Sequence, residues 1–152
     1  MTDDMAGKAV LMGTFLIICV IISYIDIQKQ TIYNEAVAAL FVPAIVSFFV
    51  FPEITPLSRM LGAVSVSGLM LFISMLKPGA FGGGDIKMMI PIGLFLGLEK
   101  TLIAWILAVF IEALLIVWKL IRKAFIYSES SGKLPFGPAL CLGSVIAMFY
   151  SI

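Results

Sequence analysis

The chain has 152 residues, 62% of them hydrophobic and 12% charged, with a net charge of +1 and a mean hydropathy of +1.16. A soluble domain is nearer half apolar and a quarter charged, so this composition excludes a water-soluble globule and calls for lipid as the solvent. The small net charge gives a nucleic-acid partner no electrostatic support, and the absence of histidine removes Ser-His and Cys-His nucleophiles and the His-ligated zinc proteases.

Six apolar runs follow one another. The first, residues 9–25, comes after MTDDMAGK, whose two acids and one lysine make a poor signal-peptide leader. With no small-x-small cleavage site before Asp26, it reads as a retained helix. The second, 36–51, is stopped by Pro52, and the third, 60–76, by Lys77 and Pro78. The fourth, 86–98, is the shortest and contains Pro91, Gly93 and Gly97. Its Gly93-x-x-x-Gly97 spacing allows close backbone approach, so this helix is expected inside the bundle. The fifth, 101–120, is interrupted by Glu112, and the sixth is 138–152. The expected fold class is all-α: a polytopic membrane protein with six transmembrane helices, forming one membrane-embedded domain over residues 1–152. Most runs fall under the ~20 residues of a full span, which implies a thin or water-dented bilayer on one side. Cys19 and Cys141 lie inside apolar runs and read as packing residues, too few for a thiolate zinc site.

The cations set an orientation. One set of connections holds Lys29, Lys77, Lys87, Lys119, Arg122, Lys123 and Lys133; the other holds Lys8, Arg59 and Lys100. The richer set is expected in the cytoplasm, with both termini outside.

Under that orientation two acids fall at the cytoplasmic membrane edge on different elements: Asp26 at the end of helix one and Asp85 at the start of helix four. Singly, each has a bland account. Asp26 marks where a helix leaves the lipid, and Asp85 is a helix N-cap. Together they form a candidate pair, because charges at membrane depth are expensive. Two adjacent carboxyls share one proton. The ionised member takes a proton from water while the protonated member donates a hydrogen bond to a substrate carbonyl. The glycines before Asp85 leave backbone room for a substrate. As a phosphate loop the stretch is weak, since no GK[ST] follows and no strand precedes it.

Three motifs carry a resemblance. Gly82-x-Gly84-Asp85 followed by Lys87 is a GxGD motif; Asp26 to Asn34 matches a D-x(5)-I-P-N segment at Ile32 and Asn34, with Tyr33 in place of proline; and Leu134-Pro135-Phe136-Gly137-Pro138, with Gly143 beyond, matches P-F-G-P-x-L-x-x-G. The chain thus resembles the bacterial type IV prepilin peptidases, a GxGD aspartic protease group, over nearly its whole length. The resemblance implies an aspartic endopeptidase with Asp26 and Asp85 as the catalytic pair. Its expected substrate is a prepilin or pseudopilin, cut after a glycine and before a hydrophobic helix on the cytoplasmic face of the bacterial inner membrane. Larger members carry an N-terminal region with paired CxxC motifs and methylate the new N-terminus. Only MTDDMAGK precedes helix one here, so this looks like a short form. Neither zinc nor any other cofactor is expected, and methylation is not carried over.

Further residues are candidates for binding or support. Gly82 and Gly84 shape the approach to Asp85. Lys87 either favours the ionised dyad, binds lipid phosphate or is an ordinary topology lysine. Asn34 is expected to cap helix two. Glu112, mid-span, is expected to hydrogen-bond a Ser or Thr of another helix, with proton shuttling or substrate contact as the alternative. The competing function is a small proton- or ion-coupled transporter or channel subunit. That reading predicts acids staggered in depth, whereas the peptidase predicts two acids at one depth. A Ser74–Lys77 peptidase and a non-catalytic scaffold are further alternatives.

Overall fold

The computed structural model describes residues 2–125 and 135–150. Among them are six helices and no strands: α1 (Thr2–Lys29), α2 (Asn34–Val50), α3 (Pro56–Leu76), α4 (Gly83–Leu96), α5 (Leu98–Phe125) and α6 (Gly137–Phe149). Lys133 and Leu134 lie outside the described residues.

Several helices start and stop where local chemistry dictates. α1 ends at Gln30, which takes a left-handed φ of 50° while its N–H bonds to the Asp26 carbonyl at 2.8 Å. Helix one therefore runs past Asp26. α3 begins earlier than the apolar run, because Thr55 accepts a hydrogen bond from the Ser58 N–H at 3.3 Å and Pro56 occupies the first turn. Arg59, expected in a connection, is consequently inside a helix. α4 stops at Gly97, whose φ of 78° suits glycine, and α5 starts at once, with the Leu98 N–H on Ser58 Oγ at 3.0 Å.

α4 is the central element. It packs against α2, α3, α5 and α6, while α1 joins α2 to α6, and α5 joins α3 to α6. Small residues permit this closeness. A Cβ at Gly93 would collide with the backbone of Gly62 and Ala63, and one at Gly143 with the backbone of Ala104 and Ala108. The core is filled by Leu40, Met70, Met88, Ile92 and Leu140, with Phe15 stacked on Phe95 at a centroid distance of 4.3 Å. Large apolar side chains such as Ile17, Phe49, Phe72 and Phe110 point outward, as a lipid-facing surface requires.

Three helical segments, Met5–Lys29, Pro56–Leu76 and Leu98–Arg122, are long and apolar enough to cross a membrane. The other helices are shorter, with 17 residues in α2, 14 in α4 and 13 in α6. At 1.5 Å per residue α4 is about 21 Å long, well under a full span. The expectation of six spanning helices is met as six helices, three of which reach spanning length.

Arg59 holds together the end of the bundle remote from Asp26. It is fully buried. Its guanidinium donates to the carbonyls of Ser47 (2.9 Å) and Phe51 (2.8 Å) at the end of α2, to Leu94 (2.8 Å) at the end of α4, and to Ser47 Oγ (2.6 Å). Nε donates to Ile54 at 3.2 Å, and the group lies 4.6 Å from the Phe48 ring centroid. One cation thereby bonds carbonyls at two helix C-termini, where positive charge is favoured, and the Ser47 and Phe51 carbonyls also accept from the Phe51 and Ile54 N–H groups.

Candidate active site

Asp26 and Asp85, 5% and 8% exposed, are both buried polar residues, and each is held by the start of a helix. Asp26, in the last turn of α1, accepts a hydrogen bond through Oδ2 from the Gly137 N–H at the head of α6, at 3.0 Å. Asp85, in the first turn of α4, accepts from the Gly82 N–H through Oδ2 at 3.2 Å, half of a capping box. Gly82, not Asp85, is the N-cap residue. Asp85 Oδ1 is buried without a protein partner. Positive helix ends thus face both carboxyls.

Ile32 fits between the two helix starts. A Cβ at Gly84 would stand 2.7 Å from Ile32 Cβ, and one at Gly137 would stand 3.2 Å from Ile32 Cδ1 and 2.5 Å from Asp26 Oδ2. The segments leading into α4 and α6 meet through Phe81 and Phe136, with ring centroids 5.4 Å apart. Gly82 has its own steric reason, since a Cβ there would lie 2.7 Å from Asp85 Oδ2. Of the glycines before Asp85, expected to leave room for a substrate, Gly82 and Gly84 are filled up to by the protein itself, while a Cβ at Gly83 would meet nothing within 4 Å.

The supporting residues divide. Lys87 donates to Asn34 Oδ1 at 3.2 Å, tying α4 to α2 at the surface. Asn34 does not cap α2: Tyr33 occupies the cap position and no side chain bonds there. Glu112 is half-buried on α5. Its expected hydrogen bond to a Ser or Thr is absent at Oε2, which is buried with no partner. The α5–α6 register brings it level with Gly137, because Gly143 packs on Ala104 and Ala108 and Lys100 Nζ reaches the Met148 carbonyl at 3.4 Å. Asp26, Asp85 and Glu112 therefore gather at one end of the bundle. Among the described residues no three acidic, Cys or His side chains are arranged to hold a metal ion.

Two features escaped the sequence reading. Gly137 was visible only as part of a motif, and its amide contact with Asp26 joins positions 111 apart. Cys19 and Cys141 are both buried where α1 packs on α6, and Ser23 beside them donates to the Cys19 carbonyl at 2.8 Å. Both are free thiols at the α1–α6 seam. Two isolated cysteines in separate apolar runs carry no signal of that packing.

A curated relative, the prepilin leader peptidase/N-methyltransferase of Bacillus subtilis (strain 168), is 28% identical over 137 residues, covering 90% of this chain and 54% of the relative. The chain thus spans about half the length of that relative. No solved structure matches it. The profile of the type IV leader peptidase family matches residues 13–117, from the middle of α1 through most of α5 and across both aspartates. That match covers well over half of the sequence, and the chain belongs to the type IV leader peptidase family.

Proposed function

We propose that this chain is an aspartic endopeptidase that removes the leader from prepilin-type substrates, with Asp26 and Asp85 activating one water molecule. The observation that carries this reading is that two buried carboxyls, distant in sequence, lie at the same end of the bundle, beside glycines that both pack on Ile32. Each is held by a backbone amide through one oxygen, and Asp85 keeps its other oxygen unspent. Gathering at one level favours the peptidase over a transporter, whose acids would be staggered along a path.

Two adjacent carboxyls hold one proton between them. The ionised member takes a proton from water as its oxygen attacks the scissile carbonyl. The protonated member hydrogen-bonds the carbonyl oxygen and stabilises the charge that develops there. The tetrahedral species collapses when a proton passes to the leaving nitrogen, with no covalent enzyme adduct. The backbone amides of Gly82 and Gly137 hold the carboxyls in place so that reorganisation is small.

The proposed substrates are prepilins or pseudopilins whose hydrophobic helix follows the cut bond and lies in the same bilayer. The cation distribution supports a site on the cytoplasmic face of the bacterial inner membrane. The proposal covers leader cleavage alone; methyl transfer, named for the longer relative, is not part of it.

Co-expression with a candidate prepilin tests the reading through the gel shift that accompanies leader removal. Asp26→Asn and Asp85→Asn are each expected to abolish the shift at normal protein level. Processing at the wild-type rate by either variant would refute the dyad.

A further inference from the structure

At the end of the bundle remote from the aspartates the helices part around a cavity of about 880 Å³. It lies beside the end of α4, where Phe95 and Leu96 form part of its wall. On α1 it is bordered by Met12, Gly13 and Leu16, and on α6 by Phe149. A short central helix and a residue with no side chain together leave this space open.

The wall is apolar, but the rim is charged in both signs: Lys8, Lys100, Glu53 and Glu99. Lys8 and Glu53 form an exposed ion pair at 2.9 Å, which holds the Glu53 carboxyl below its ordinary range. Among the described residues Lys100 makes a long bond to the Met148 carbonyl, at 3.4 Å. Glu99 is exposed. The rim sums to zero, with two charges of each sign, at one edge of a membrane-embedded bundle.

We propose that this cavity binds a zwitterionic aminophospholipid. The lysines receive the phosphate, as basic side chains at a membrane edge do, and Glu99 receives the ammonium. The volume lies within the range of small-ligand sites, and the apolar wall takes the upper part of the acyl chains. Leu142 and Ile146, both exposed, continue the stripe from Phe149 along α6 toward the bilayer interior. A purely anionic headgroup is disfavoured, because it brings no ammonium to meet Glu99. This inference stands apart from the peptidase reading, since it uses the opposite end of the bundle and none of the acids proposed for cleavage.

The test uses the full chain, delipidated in detergent and titrated with phosphatidylethanolamine or phosphatidylglycerol under native mass spectrometry. One phosphatidylethanolamine per chain is expected, bound about tenfold more tightly than phosphatidylglycerol. At Gly13 an added Cβ meets no atom within 4 Å. Gly13→Trp therefore places its ring in the cavity and should lower phosphatidylethanolamine affinity by about tenfold. Glu99→Gln, at an exposed position, keeps the shape and should erase the preference between the two lipids. Equal binding of the two lipids by the wild type would overturn the proposal. So would an undiminished preference in Glu99→Gln, or unchanged affinity in Gly13→Trp.

Discussion

A hydrogen atom in place of a methyl group at Gly137 lets the α6 amide reach Asp26, and the same economy at Gly84 lets α4 start against Ile32. The two positions fail differently when filled. At Gly137 the new carbon meets Asp26 Oδ2, the free end of a side chain, so the carboxyl rotates away while the fold persists. Gly137→Ala is expected to slow leader cleavage about a hundredfold with less than ~1 kcal/mol lost in thermal unfolding. At Gly84 the new carbon meets Ile32 Cβ and, at 3.2 Å, the Ile32 carbonyl. Neither can move without the backbone, so Gly84→Ala should cost about 1–3 kcal/mol of stability as well. Equal stability losses in the two variants would contradict the assigned roles. The two acids were legible in the sequence because charge at membrane depth is costly. The partner of Asp26 was not, because an amide donor has no side-chain signature and lies on a helix at the far end of the chain.

Helix ends decide where the acids sit and what holds the opposite side. α4 and α6 both begin beside the carboxyls, and α2 and α4 both end on Arg59. The sequence reading placed Arg59 in a connection because the apolar periodicity begins at Met60. The better signal was Thr55-Pro56, a cap followed by a first-turn proline. Arg59→Met removes the guanidinium donors from a cluster of carbonyls at two helix ends and is expected to cost about 3 kcal/mol or more. The unfolding temperature in detergent measures that loss, and an unchanged value would show the carbonyls satisfied in another way. Glu112 is the half-buried acid of α5. It sits where α5 leaves the bundle, and residues 113–118 beyond it are apolar and exposed. Glu112→Gln is expected to retain cleavage within about tenfold of wild type. Complete loss with normal folding would bring Glu112 into the chemistry itself.

The whole molecule is a short bundle crossed by longer helices. α5 continues about 20 Å past the level of Gly137, and the six residues 113–118 are apolar before Lys119. The carboxyls therefore lie about 10 Å inside the level of that lysine along the helix. Composition made the membrane and the six helices legible. The unequal helix lengths were only hinted at, because runs of apolar residues do not reveal which helix is enclosed by the others. Such a bundle favours a thin bilayer, so cleavage in dimyristoyl vesicles should exceed that in dieicosenoyl vesicles by about threefold. Equal rates would argue against the recessed site. Sidedness is open to labelling, because both native cysteines are buried. A maleimide should reach Tyr33→Cys, at the aspartate end, only in inside-out vesicles, and Glu99→Cys only from the outside. The most direct measurement is the single-turnover cleavage rate of Asp26→Asn, Asp85→Asn and the double variant in one membrane preparation. Carboxyls that work as one unit lose their contribution once, so the three residual rates should coincide, far below wild type. A double variant slower than either single by the product of their separate losses, or one single variant with substantial activity, would contradict the shared-proton account.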